Sequence, residues 1–276
     1  MRWPWQVDAA SAPHLRASGS ESPFLIRPIA WLVGGLVVAS ACAVATALYY
    51  LRGEAVRSGE VLSQSLVQVI EEQTSRTFQT VDQRLQLAAN QLQALQVDNK
   101  LDENAARSML RGQLKTLPFV RAIWVLDAEG RILFDSDTGN IGVAMADREY
   151  FEIYKRQPTT QFHLSAPVRS RTTGTWLISA SRPLSTGAGT FSGVIVAAVE
   201  PPYFDKLWRE IKLGDGGAIA LFRKDGVLMM RSPMDERAMG KAFPGLPLFA
   251  GLAKNPQGTY TTISVLAASF PVCAAA

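Results

Sequence analysis

The chain has few of the residues that most often build catalytic or metal sites. Its 276 residues include two histidines, His14 and His163, on either side of a long apolar run, so a histidine-based triad or metal cluster would depend on His163 alone. The two cysteines, Cys42 inside that run and Cys273 near the C-terminus, predict neither an intrachain disulfide nor a thiolate metal site. No G-x-x-x-x-G-K-[ST], H-E-x-x-H or G-x-S-x-G motif occurs. We therefore expect no catalysis and no metal or other cofactor.

The chain also lacks any block of like charge. The formal net charge is +4 at pH 7, and no run of Lys and Arg alternates with aromatic residues as a nucleic-acid groove requires. We therefore expect no nucleic-acid partner. With 47% hydrophobic residues the chain can bury a core, and its length allows one large domain or two modest ones.

One long segment has no charged residue. Residues 29–50 read IAWLVGGLVVASACAVATALYY, which as a helix is roughly 33 Å long, enough to cross a ~30 Å hydrocarbon layer. We predict a cytoplasmic tail over 1–28 and a transmembrane helix over 29–51. The arginines on each side slightly favour a cytoplasmic N-terminus, which places the rest of the chain outside. A cleaved signal peptide, or a lipoprotein cleavage site at Ala39-Ser40-Ala41-Cys42, is the alternative.

The segment 52–116 is predicted to be helical. From Gly53 to about Asn99 it has no proline, and its apolar residues recur at the steps of three, four and seven that are typical of an amphipathic helix. These residues are Leu62, Leu66, Val69, Ile70, Val81, Leu85, Leu92 and Leu95. Such a stripe fits packing on the chain's own domain or pairing with a second copy, and we expect a homodimer through this helix. A second, short helix is predicted over 104–115.

After residue 116 the pattern changes to short strands. Alternation and turn residues predict strands over 122–126, 131–135, 161–168, 175–182 and 191–199. Short helices are predicted over 148–156 and from Pro201-Pro202 onward. Five antiparallel strands with helices on one side make an α+β module over 117–200, with the outline of a PAS-like fold.

The second half of this region repeats the first. Residues 122–136, AIWVLDAEGRILFDS, recur in degraded form at 218–232 as AIALFRKDGVLMMRS. We therefore predict a linker helix and a second module over 201–276. Arg148 of the first copy corresponds to Leu246 of the second, so the copies differ in a charged residue. Gly214-Asp215-Gly216-Gly217 is expected to be a flexible loop rather than a phosphate cradle, because a strand follows it.

The segment 147–151, Asp-Arg-Glu-Tyr-Phe, is the candidate ligand site. A guanidinium between aromatic side chains, here Arg148 with Tyr150 and Phe151, can grip a carboxylate through charge-assisted hydrogen bonds worth about 1.5 to 3 kcal/mol. Alternatively, Arg148 pairs with a nearby acid and the two aromatic residues belong to the core.

A later strand is expected to complete this site. Trp176 and Ser179 are its candidate contributors, although they alternate to opposite faces and the pattern does not fix which face lines the pocket. Asp135, Asp137 and Asp147 could suggest a cation site, but acids in such positions more often cap turns.

The ordered motifs of residues 117–232 resemble a known sensor family. DREYF at 147–151, FHLSAPVRSRTTGTWLISASRPL at 162–184, FSGVIVAAVEPPYFDKLW at 191–208 and LGDGGAIALFRKDG at 213–226 are similar to the extracytoplasmic double Cache (tandem PAS-like) sensor domain of bacterial membrane receptors, closest to those fused to GGDEF-type diguanylate cyclases. The resemblance implies that the membrane-distal module binds a small ligand and that the membrane-proximal module relays the signal.

The resemblance also suggests the ligand. In amino-acid-binding members an R-x-W-Y motif clamps the ligand carboxylate, and Arg148, Tyr150 and Phe151 match it with Tyr for Trp and Phe for Tyr. Those members bind the ligand ammonium with an Asp on the following strand, where this chain has Val168-Arg169-Ser170. The expected ligand is therefore a small carboxylate or dicarboxylate without an amine.

The same resemblance implies the cellular context. We expect a single-pass sensor region in the bacterial inner membrane, with its C-terminal domain in the periplasm, acting in transmembrane signal transduction. Receptors of this type continue into further strands and an output domain, whereas this chain ends in a bland tail after Ser264, so the second module is expected to lack its last strand pair. Two alternatives are that the chain is the N-terminal part of a signalling enzyme, a diguanylate cyclase or histidine kinase, or that it is a ligand-free dimerisation module.

Overall fold

The computed structural model describes residues 23–186, 189–211, 213, 217–252, 257–262 and 270–275, and the chain divides into two compact units, Met1–Gly59 and Glu60–Ala276. Helix α1 (Pro23–Val97) begins in the first unit and ends in the second. Among the described residues, α1 is the one helix that is long and apolar enough to cross a membrane. Residues 1–22 of the predicted tail lie outside the described residues. The rest of that tail belongs to α1, whose first residue is Pro23, at a position where the helix tolerates proline.

The first module follows α1 as an α+β unit. Its elements are α2 (Glu103–Leu114), β1 (Val120–Leu126), β2 (Ile132–Asp135), α3 (Glu149–Arg156), β3 (His163–Leu164), β4 (Val168–Arg169), β5 (Trp176–Ser185), β6 (Phe191–Val199) and α4 (Pro201–Arg209). The strands form an antiparallel sheet in the order β2-β1-β6-β5-β3, with β4 also paired to β5. The strand predicted over 161–168 is two short strands, because Pro167 has no N–H for the sheet.

Side chains of β1 alternate between two cores, one on each face of the sheet. Ile123 and Val125 pack on the face covered by α1 and α2. Trp124 and Leu126 pack on the opposite face with α3. The prediction that all helices lie on one side was therefore wrong, because the aromatic face of α3 supplies a second apolar layer.

The amphipathic stripe of α1 is used along part of its length. Val81, Leu85 and Leu92 are buried against the sheet, which confirms packing on the chain's own domain for these turns. Leu62 and Val69 are 61% and 52% exposed. The homodimer through this helix stays a prediction, and these exposed apolar residues are candidates for its interface.

The second module repeats the first in its hydrogen bonds as well as its sequence. It contains β7 (Ile219–Phe222), β8 (Leu228–Ser232), α5 (Pro247–Leu252), β9 (Gln257–Thr262) and β10 (Phe270–Ala275). The hairpin turn of the first module closes from Gly130 N to Asp127 O at 3.1 Å, and that of the second closes from Gly226 N to Arg223 O at 2.8 Å. Helices α3 and α5 begin at equivalent positions of the repeat.

The second module does not form one continuous sheet among the described residues. β9 and β10 pair with each other, and β7 and β8 form a separate two-stranded sheet, so the expectation that this module lacks its last strand pair stays a prediction. Residues 214–216 of the glycine-rich loop lie outside the described residues.

Candidate functional site

A small cavity of about 40 Å³ lies on the α3 side of the first module's sheet. Its walls come from β1, β2, the segment 137–148, the start of α3, β4 with the turn after it, and the start of β5. The lining residues are Arg121, Ala122, Trp124, Ile132, Asp135, Asp137, Asn140, Met145, Arg148, Tyr150, Val168, Arg169, Ser170, Arg171, Thr172 and Leu177. The volume suffices for about three water molecules.

Four arginines line this cavity, and three of them are already paired. Arg121 lies 3.2 Å from Asp137, and Arg169 lies 2.6 Å from Glu236. Arg171 donates to Asp147 at 3.1 Å and to the carbonyl oxygen of Ala144 at 3.0 Å. Its hydrogen bond to Asp147 lowers the pKa of that exposed carboxyl.

Arg148 is the exception among these four. It is half-buried at the N-cap of α3, and its guanidinium has neither a hydrogen bond nor an ion pair with any described residue. The alternative that Arg148 pairs with a nearby acid therefore fails among the described residues, since Asp147 is bonded to Arg171 instead. A half-buried cation without a partner is an available site for an anion.

Two aromatic residues that line the cavity with Arg148 also have polar groups. Tyr150 is 3% exposed, and its ring meets Trp124 edge-on at 6.0 Å. Burial raises the pKa of the Tyr150 hydroxyl to about 12, so this group remains a neutral donor at physiological pH. The indole Nε1 of Trp124 is buried and has no hydrogen-bond partner among the described residues.

Acidic residues line the same cavity. Asp135 is 3% exposed, and its carboxylate accepts hydrogen bonds from Asp137 N at 2.8 Å and from Asn140 Nδ2 at 2.7 Å. No ion pair reaches Asp135 from the described residues, whereas Asp137 is paired with Arg121. The hydrogen bond from Asp137 N is the turn-capping role that the sequence favoured. Within the part of the chain that the structure describes, no group of three or more His, Cys, Asp or Glu side chains could hold a metal ion.

Of the five residues predicted for the site, Arg148 and Tyr150 line the cavity and the other three do not. Phe151 follows Tyr150 on α3 but points into the core, where it is fully buried and meets Phe191 at 6.1 Å. Trp176 lies on the opposite face of β5 from Leu177, which lines the cavity, because neighbours in a strand alternate.

The remaining predicted residue, Ser179, shares the face of Leu177 but lies two residues further along β5. It is fully buried there, and its hydroxyl has no hydrogen-bond partner. Neither Trp176 nor Ser179 is placed to touch a molecule inside this cavity.

Sequence reasoning missed several cavity residues. Trp124 reads as an ordinary core position of β1, and Arg121, Arg169 and Arg171 read as surface charges. No pattern in the sequence shows that β1, β2 and β4 converge on the start of α3. A single clue was available, because Trp124 aligns with Ala220 of the second copy, where a large aromatic residue is absent.

Comparisons with known proteins agree with this architecture. The Cache domain family matches residues 57–265. No curated protein sequence matches the chain. The extracellular domain of rpHK1S-Z16, described as a histidine kinase, is 28% identical with a TM-score of 0.67, over 75% of this chain and 83% of that one.

Two chemoreceptor structures share the fold at lower identity. The periplasmic sensory domain of the Campylobacter jejuni chemoreceptor Tlp1 is 10% identical with a TM-score of 0.63, over 79% of this chain and 90% of that one. The ligand-binding domain of the Pseudomonas aeruginosa PAO1 amino acid chemoreceptor PctC, in complex with GABA, is 15% identical with a TM-score of 0.51, over 73% and 88%. The resemblance to a Cache sensor domain is confirmed, whereas the association with GGDEF enzymes stays a prediction.

Proposed function

Because this chain belongs to the Cache domain family, we propose that it is a membrane-anchored, extracytoplasmic sensor region and that its first module binds a small carboxylate through Arg148. The observation that carries the proposal is the guanidinium of Arg148, which lines the cavity and has no partner among the described residues. The apolar part of α1 supplies a candidate membrane anchor. Cache domains are extracellular or periplasmic sensors, which supports a periplasmic location for the modules.

The groups around Arg148 suit a carboxylate. The guanidinium can donate two parallel hydrogen bonds, the Tyr150 hydroxyl can donate a third, and the buried Trp124 N–H still needs an acceptor. Helix α3 has no side-chain cap at its N-terminus, and the partial positive charge there favours the same ligand group.

A second candidate is a carboxylate that also has an amine. The resemblance argued against an amine because Val168-Arg169-Ser170 stands where amino-acid-binding members have an Asp. Asp135, however, lines the same cavity without a cationic partner among the described residues. A buried carboxylate is stabilised by an ammonium group. The PctC domain, which has this fold, was solved with GABA, whose ammonium and carboxylate lie at opposite ends.

Calorimetry on the full chain in detergent micelles tests both ideas. GABA and butyrate are a matched pair that differ only in the amine, and succinate adds a dicarboxylate. If the proposal is right, at least one of the three binds, and Arg148→Ala weakens that binding by about 10- to 150-fold, the equivalent of about 1.5 to 3 kcal/mol.

The control is Arg156→Ala, which removes an exposed arginine of α3 that pairs with Glu152 outside the cavity. Affinity that is equal in both variants would remove Arg148 from the site. GABA binding more tightly than butyrate, with the difference lost in Asp135→Asn, would identify the amine as part of the ligand.

A further inference from the structure

Glu149, the residue after Arg148, joins the two modules. Its carboxylate accepts hydrogen bonds from His163 Nε2 at 3.0 Å and Ala166 N at 2.9 Å in its own module. It also accepts one from Arg223 Nη1 of the second module at 2.6 Å. The same Arg223 nitrogen donates to the carbonyl oxygen of Leu164 at 3.1 Å. This pair is partly shielded from solvent, with the Arg223 side chain 27% and the Glu149 side chain 35% exposed.

A second ion pair joins the modules at β4, a strand that borders the cavity. Arg169 of β4 lies 2.6 Å from Glu236 of the second module, and its guanidinium stacks on Trp176 on the face of the sheet away from the cavity. Beside it, the backbone at Gly240 approaches the Pro167 carbonyl so closely that an added Cβ would lie 2.8 Å from that oxygen. Both sides of this ion pair are more than half exposed, so it holds the wall more weakly than Glu149–Arg223 does.

The repeat shows that Arg223 is specific to the second module. Asp127 holds the equivalent turn position in the first module, and its carboxylate accepts hydrogen bonds from the amides of Glu129 and Arg131 in its own turn. In the second module Asp225 accepts the amide hydrogen bond from Val227, and Arg223 extends to Glu149 of the first module. The contact between modules is therefore not a by-product of the repeated turn.

The small size of the cavity makes ligand entry sensitive to these contacts between the modules. The cavity has room for about three water molecules and is partly open to solvent, so a small displacement of its walls changes how deeply a ligand can enter. The second module holds two elements that border the cavity, α3 through Glu149 and β4 through Arg169.

We propose that Glu149–Arg223, assisted by Arg169–Glu236, fixes the positions of α3 and β4 beside the cavity and couples ligand binding to the position of the second module. This inference rests on the proposed function for the identity of the cavity, but not for the contacts themselves. Because coupling between two sites is reciprocal, cutting the contact from the second module changes the affinity of a cavity that the cut does not touch. Ligand entry breaks or shifts the same contacts, which moves the second module.

Hydrogen exchange on the full chain in micelles, without any added ligand, tests the contact directly. Arg223→Ala is expected to speed exchange at residues 144–157, around the start of α3, while the central strand β6 stays protected. Glu236→Ala is expected to have a smaller effect, centred on residues 167–172. Lys224→Ala is the matched control, since it removes a positive charge from the same turn and is exposed. Unchanged exchange in Arg223→Ala overturns the proposal, as does a rise of equal size in β6, which would mean a general loss of structure.

Calorimetry with GABA and butyrate tests the coupling. Arg223→Ala is expected to bind whichever of the two the native chain binds at least about fivefold more tightly. Lys224→Ala shows how much of any change comes from net charge alone. Equal or weaker affinity in Arg223→Ala overturns the coupling. If neither compound binds the native chain, the proposed function fails for these acids, and the exchange experiment still decides whether the contact holds the cavity wall.

Discussion

The substitution Glu149→Gln should remove a pH-dependent part of the stability of the modules. Burial acts to raise the pKa of Glu149, but the hydrogen bonds from His163, Ala166 N and Arg223 outweigh it and lower the pKa from 4.5 to about 2. A carboxyl whose pKa is lower in the folded chain than in the unfolded chain stabilises the fold fully above the unfolded value. That stabilisation declines as the pH falls from about 4.5 toward 2.

The magnitude follows from the same pKa. The difference between 4.5 and about 2 corresponds to at most about 3 kcal/mol. Since the Glu149 side chain is 35% exposed, solvent screening reduces this to about 1 to 2 kcal/mol. A fold of this size changes its melting temperature by roughly 2 to 4 °C for each kcal/mol. Glu149→Gln should therefore melt about 2 to 8 °C below the native chain at pH 7.

The assay is thermal unfolding of both chains at pH 7 and pH 3. At pH 3 the difference between them should shrink by about half, because pH 3 lies inside the window in which Glu149 loses its contribution. The other polar groups around Glu149, which include His163, Arg223 and Asp225, are present in both chains. Glu152→Gln, on the same helix and paired with exposed Arg156, should show a small difference at both pH values. A melting difference for Glu149→Gln that is the same at pH 7 and pH 3 would refute the reasoning.

Two further predictions concern the core around the cavity. Gly193→Ala should destabilise the fold by at least about 2 kcal/mol in urea unfolding, because its φ is +147° and a Cβ would lie 1.9 Å from the Leu126 carbonyl oxygen. Gly139→Ala, whose Cβ meets nothing within 4 Å, should cost only about 1 kcal/mol, and equal costs would contradict the steric argument. Phe151→Ala should lower the free energy of unfolding by about 3 to 5 kcal/mol, because Phe151 is fully buried against Phe191. Leu133→Ala is the comparison at a 46% exposed position, and a similar loss there would contradict the assignment of Phe151 to the core.

Local patterns in the sequence predicted most of the first module. The helix over 148–156 and the strand over 191–199 match α3 and β6 to within one residue, because each follows from clear periodicity and turn residues nearby. The strand over 161–168 failed at Pro167, where the chain cannot supply an N–H to the sheet. The helices on both faces were missed, because periodicity shows that a helix has an apolar face but not which side of the sheet that face meets.

The candidate site was predictable only near Arg148. Arg148 and Tyr150 belong to one short motif, and an unusual charge beside aromatic residues can be seen in the sequence. Trp176 was expected in the cavity but lies on the other face of β5, where the Arg169 guanidinium covers its ring at 4.9 Å. Which face of β5 lines the cavity depends on the register of the sheet, and no local pattern in the sequence predicts that register. Asp135 was missed as a cavity residue because its position in the sequence is also typical of an acid that caps a turn.

The order of residues at the start of α3 places the proposed ligand-binding residue directly before the residue that contacts the second module. Arg148 is the N-cap and Glu149 is the first helical residue, so their side chains leave the helix in different directions while their backbones move together. Arg148 lines the cavity and Glu149 meets Arg223 of the second module. A shift of α3 therefore changes both the cavity wall at Arg148 and the distance between Glu149 and Arg223. In the second copy the positions of Arg148 and Glu149 are Leu246 and Pro247, which can neither bind an anion nor accept such a contact. This difference between the copies supports the proposal that the first module binds the ligand and the second module responds.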